Sequence, residues 1–197
     1  MTEFYNHPLP VERDDRFLAR CPPLSAGAGA LSVLIGILTL AGWLFGIERL
    51  LWTPANMVVM KANAALCFLM AGMSLILLNS GRKGNLPRYL AGALGLAVAL
   101  IALLTLVEYF TGWNPGIDQM LVREPAGAVK TSSPGRMAPN VTVAFLLLGA
   151  CLLFLSCRTG YWAVSVMGFL SGLVALHALM GFAYASEQPE GFLNFTH

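Results

Sequence analysis

The sequence predicts an all-α membrane protein of about five transmembrane helices, one leading helix followed by two parallel helix-hairpin repeats. Three observations carry this. Of the 197 residues, 57% are hydrophobic and only 11% charged, with a mean hydropathy of +0.69, whereas soluble domains run at about 45–50% apolar and about 25% charged. The few charges are spaced so that five long stretches carry none. A short pattern recurs 77 residues apart.

The same numbers exclude other classes. Twelve Lys and Arg against ten Asp and Glu leave a net charge of +2, too balanced for the electrostatic footprint of a nucleic-acid binder. High hydrophobicity excludes disorder. Cys21, Cys67, Cys151 and Cys157 show no metal or redox spacing, and their places in or beside apolar stretches argue against a disulfide framework.

The uncharged runs are 21–47, 62–81, 89–107, 137–157 and 159–186. A bilayer core about 30 Å thick needs roughly 20 apolar residues at about 1.5 Å each, so every run can span. Helices are expected near 24–46, 62–80, 88–111, 137–157 and 161–184. The first is too long for the 7–15 apolar residues of a cleaved signal and follows Glu12, Asp14 and Asp15. This divides the chain into an N-terminal segment 1–23, a membrane domain 24–184 and a tail 185–197. The tail carries no folding signal, and 185–197 reads as a truncation point before a further helix.

Lys and Arg positions give the orientation. With the N-terminus inside, the inner segments hold Arg13, Arg16, Arg20, Arg82, Lys83, Arg88 and Arg158; the outer ones hold Arg49, Lys61, Arg123, Lys130 and Arg136. The short loop 80–88 votes most firmly. Trp43, Trp52, Tyr109, Phe110, Trp113 and Tyr184 fall at the outer ends, as an interfacial belt requires. The expected location is therefore a cytoplasmic membrane, N-terminus inside.

Residues 61–72 and 138–149 align at an offset of 77, matching Asn63 with Asn140, Phe68 with Phe145, Leu69 with Leu146 and Gly72 with Gly149. Both copies open a helix on the same side, so the repeats are parallel, unlike the inverted repeats of many transporters. Asn63 and Asn140 stand in first helical turns, where capping of free backbone N–H groups is the leading reading and ligand hydrogen bonding the alternative.

Glu108 interrupts an apolar stretch one turn before Gly112. It is either a carboxylate facing protein or a polar cavity, as the cost of membrane burial demands, or a headgroup-level Glu paired with Arg136 or Lys61. His177 lies inside the last span, a functional candidate by default, with a neutral imidazole bonded to a neighbouring helix as the structural alternative. No ligand-spaced partner accompanies it, which argues against a metal. Gly168 and Gly172 form a small-xxx-small pair that reads as packing within the bundle. Met57, Met60, Met70 and Met73 read as gap fillers. The connection 114–139 is long enough to be functional, and its first part is expected as a short surface helix.

The segment Glu108-Tyr109-Phe110-Thr111-Gly112-Trp113-Asn114-Pro115-Gly116-Ile117-Asp118-Gln119 resembles one found in the multi-helix membrane sensor regions that precede bacterial PAS-containing histidine kinases and diguanylate cyclases. Gly135-Arg136-Met137-Ala138-Pro139-Asn140 with Phe145-Leu146-Leu147-Leu148-Gly149 resembles that family's helix opening, and Asn63 to Leu69 its counterpart. The likeness covers roughly 50–155; Ala64 and Val141-Thr142 depart from the family pattern.

The resemblance implies a signal-input module, not an enzyme, whose output domain would lie beyond this chain, and a homodimer. It also implies a lipophilic ligand, with quinone favoured, at the outer leaflet. A quinone head needs donors to its carbonyls and an apolar slot. Asn63, Asn140, Arg136 and His177 can donate, Phe68, Tyr109, Trp113 and Phe145 can form the slot, and Glu108 and Asp118 can orient the donors. A small transporter or channel would need a continuous polar path, which the spans lack; a membrane scaffold is the other alternative.

Overall fold

In the computed structural model, described for residues 15–51, 59–80, 84–113, 116–119, 121–122 and 134–187 (side chains of 15–22, 48 and 182–187 excepted), the chain forms five helices. They are α1 Asp15–Phe45, α2 Ala62–Asn79, α3 Leu86–Thr111, α4 Pro139–Cys157 and α5 Tyr161–Glu187, with 3₁₀ turns at Glu48–Leu51 and Ile117–Gln119. Among the described residues there is no strand. Each helix is long and apolar enough to cross a membrane, so the all-α membrane architecture holds.

The first helix differs from its expected extent. Its apolar span begins at Pro23, yet the helix already starts at Asp15, inside the expected N-terminal segment. Helical hydrogen bonds are internal to the segment, so leaving the hydrocarbon does not by itself end a helix. Trp52, Met57, Arg82, Lys83, Arg123 and Lys130 lie outside the described residues, as do 1–14 and 188–197 and most of the 114–139 connection.

Helix neighbours in sequence are neighbours in space, and α2 also meets α4. The two most extensive interfaces are α1 with α2 and α3 with α4. Lipid tails are as apolar as leucine, so membrane helices associate through close packing and interhelical hydrogen bonds. Both devices are present. A Cβ on Gly72 would lie 2.6 Å from the Gly29 carbonyl, and one on Gly149 would lie 2.8 Å from the Gly95 carbonyl. Thus the repeat-related glycines Gly72 and Gly149 each carry a helix crossing, and the likeness of the two copies extends back to the helix before each Asn.

Hydroxyls bond across the helices. Ser32 donates to the Phe68 carbonyl at 2.8 Å, Ser74 to Ala91 at 2.9 Å and Ser171 to Ala144 at 3.0 Å. The core joins Cys67, Val98, Ala102, Met137, Phe145 and Leu152 from α2, α3, α4 and the segment before α4. Around it, Leu31, Leu34 and Ile37 of α1 and Phe169, Leu173 and Leu176 of α5 are exposed, as lipid-facing positions are. The expected packing role of the Gly168–Gly172 pair is not what the structure uses. A Cβ on Gly168 would meet only the Cys151 sulfur at 3.8 Å, and one on Gly172 nothing within 4 Å. Of α5's described side chains, Ser171 alone is buried.

Candidate functional site

At one end of the bundle, α3 finishes and α4 begins. Gly112, at φ 68°, closes α3 and donates its N–H to the Glu108 carbonyl at 3.1 Å. Glu108 therefore sits in the last turn of α3, the negative end of that helix, and Arg136 stands just before α4, whose N-terminus is positive. Each charge opposes its own helix dipole, an unfavourable placement alone. Paired with each other, they offset both penalties. Arg136 Nε lies 3.4 Å from Glu108 Oε2 and donates a hydrogen bond to Asp118 Oδ2 at 2.8 Å. Both carboxylates reach the same nitrogen, so they lie side by side.

Glu108 is 1% exposed and Asp118 5%. The Glu108 carboxylate faces protein, as the first reading expects, and pairs with Arg136, as the second expects, because α3 turns it toward the start of α4. Burial opposes the Arg136 charge, but the hydrogen bond to Asp118 and the neighbouring carboxylates outweigh it and raise its pKa above the ordinary value. The guanidinium also lies 5.2 Å from the centre of the Tyr109 ring, within cation–π range.

Backbone contacts fix the cluster. Gly135 adopts φ 79°, and a Cβ there would run into the Asp118 carbonyl, so only glycine allows the two segments to press together. The Tyr109 hydroxyl donates to the Met137 carbonyl at 2.8 Å, tying α3 to the start of α4. Asn63, 3% exposed on α2, donates Nδ2 to the Ile117 carbonyl at 3.1 Å. Residues 63, 108–109, 117–118 and 135–137, far apart in sequence, thus converge.

Neither asparagine is the N-cap residue itself, and of the two only Asn140 accepts from a first-turn backbone N–H. Helices α2 and α4 take Lys61 and Ala138 as N-caps, with no side-chain cap bond. Asn63 and Asn140 each stand two residues inside the N-cap. Asn63 instead holds the 3₁₀ turn, whereas Asn140 is exposed and its Oδ1 accepts from the adjacent Val141 N–H at 2.9 Å.

No known protein family, curated protein or solved structure matches the chain. The site must be read from its own geometry.

Of the ten expected site residues, the structure brings Asn63, Glu108, Tyr109, Asp118 and Arg136 together. Phe68 and Phe145 pair with each other deeper in the bundle, ring centroids 5.1 Å apart at 84°. Trp113 is 59% exposed and Asn140 faces outward. His177 is exposed on α5; the bonds from Ser171 to Ala144 and from Cys151 to Val164 set an antiparallel register that puts it level with residue 138. Sequence reasoning overlooked Gly135 and Met137, the latter 1% exposed. Both stand in the segment that carries the resemblance, which was the available signal. Lys61, expected only as a partner for Glu108, is itself buried two residues before Asn63.

Chemically, the cluster is rich in acceptors. Neither Glu108 oxygen nor Asp118 Oδ1 has a hydrogen-bond donor among the described residues, although all three are buried. Arg136 Nε, the Tyr109 hydroxyl and Asn63 Nδ2 already donate within the site. Buried unsatisfied acceptors are costly, about 1–3 kcal/mol each and more when charged. Such a group calls for a donor. Among the described residues no group of His, Cys, Asp and Glu is arranged to hold a metal ion.

Proposed function

We propose that the chain is the membrane-embedded input module of a bacterial signal-transduction receptor, binding a lipophilic ligand at the Glu108–Asp118–Arg136 end and passing the signal to a cytoplasmic kinase or cyclase. The observation that supports this most is the convergence on one buried ionisable cluster of the two segments that resemble membrane sensor regions. A quinone is the favoured ligand. Its reduced form brings hydroxyl donors to the acceptors of Glu108 and Asp118, and an isoprenoid tail can lie along lipid-facing helix surfaces. The ligand must favour one arrangement of the segments over another, since equal affinity for both transmits nothing. The reading places this end at the outer leaflet of the cytoplasmic membrane, with the N-terminus inside, and takes the module to act as a homodimer.

The test is extraction of the protein, purified in nanodiscs, with organic solvent, followed by chromatography and mass spectrometry. Quinone is expected at one per chain and is expected to be lost in Glu108→Gln, which keeps its elution profile. An extract with phospholipid alone overturns the quinone reading; full retention in Glu108→Gln and Arg136→Gln overturns the site.

A further inference from the structure

The opposite end of the bundle holds a second constellation, about 24 Å away along α2 between Asn63 and Asn79 at about 1.5 Å per residue. There the turns α2–α3 and α4–α5 enclose a cleft of about 560 Å³. We propose that this cleft binds a phosphate group, supplied by the head of an anionic phospholipid.

Arg88 enters the cleft from α3 and Arg158 from the end of α4, and among the described residues no carboxylate lines it. The Arg88 Nε is buried and has no hydrogen-bond partner among the described residues. A phosphate oxygen is the acceptor that guanidinium groups favour. Arg158 is the C-cap of α4 and holds φ 55°, the one described non-glycine residue in the left-handed region. Glycine would take this conformation without strain, and the chain uses glycine at a like φ, 63°, at Gly160 in the same turn. Retaining an arginine there at a backbone cost fits a side chain with work of its own.

Two helix N-termini strengthen the field. Pro87 in the first turn of α3 and Tyr161 at the first residue of α5 both line the cleft. Asn85, the α3 N-cap, makes no side-chain cap bond, leaving first-turn N–H groups for an anion. Leu75, Leu78 and Leu155 supply apolar walls. A free phosphate has no use for them, whereas the glycerol and acyl portions of a lipid do, so the lipid is the expected source.

The test uses the full chain, delipidated in detergent, with native mass spectrometry and thermal unfolding after addition of phosphatidylglycerol or phosphatidylcholine. The wild type is expected to retain phosphatidylglycerol about thirtyfold better, the scale of two cations at a membrane surface. Arg88→Gln and Arg158→Gly should each erase most of that preference. Arg158→Gly should also melt higher than the wild type without lipid, which separates loss of binding from loss of fold. Arg49→Gln, at the other end, should leave the preference intact. Equal retention of the two lipids, or an unchanged preference in both cleft variants, overturns the proposal, as does an equal loss in Arg49→Gln. Stabilisation by inorganic phosphate as large as that by phosphatidylglycerol keeps the anion chemistry but overturns the lipid as its source.

Discussion

Phe68 and Phe145, 77 residues apart and equivalent in the two copies of the repeat, meet edge to face with ring centroids 5.1 Å apart. The contact joins α2 to α4 at equivalent points of the two copies. The equivalent asparagines differ in their surroundings. At the first turn of α2, Asn63 is buried and bonded to the Ile117 carbonyl, while Asn140 at the same point of α4 is exposed.

The aromatic contact should be energetically coupled. Edge-to-face pairs contribute about 0.5–1.5 kcal/mol beyond their area. In a double-mutant cycle of Phe68→Leu and Phe145→Leu, read by detergent unfolding, a coupling in that range is expected; additive effects would show that the rings merely fill space.

Glycine substitutions should change sign with position. In Gly72→Ala or Gly149→Ala the new methyl meets backbone at 2.6 Å, and forced overpacking costs about 1–3 kcal/mol. Gly172→Ala meets nothing within 4 Å and should stabilise α5 by about 0.5–1 kcal/mol through reduced unfolded-state entropy. Melting midpoints of the three variants in one detergent check this.

Removing the Arg136 guanidinium should be severe. Arg136→Gln leaves two buried carboxylates without their cation, and breaking a buried pair costs about 3–5 kcal/mol. Glu108→Gln alone should be mild, because Asp118 keeps Arg136 and the new amide can donate to Asp118. Adding Glu108→Gln to Arg136→Gln should therefore recover part of the loss, measured as unfolding free energy of the single and double variants.

The repeat-related asparagines should respond differently. Asn63→Ala removes the bond to the Ile117 carbonyl and should cost about 0.5–1.5 kcal/mol, with faster proteolytic cleavage between α3 and α4. Asn140→Ala touches only its neighbour's N–H and should stay within about 0.5 kcal/mol of wild type.

By itself, the sequence determined the membrane architecture. Spans follow from charge-free runs because the cost of burying charge in hydrocarbon acts residue by residue, with no need of a partner. Equivalence of the two copies was legible for the same reason, since Asn63, Phe68 and Gly72 line up with Asn140, Phe145 and Gly149 by identity alone. What a side chain faces is a different matter. Only the packed helices decided that Gly29 and Gly95 make the crossings while Gly172 makes none, that Asn63 reaches Ile117 instead of capping, and that Glu108 is buried against Arg136. Nearly uniform apolarity around each helix leaves no stripe to mark the inward face, so facing is settled by steric fit and by hydrogen bonds between segments distant in the chain. In a soluble helix the polar face would have announced it.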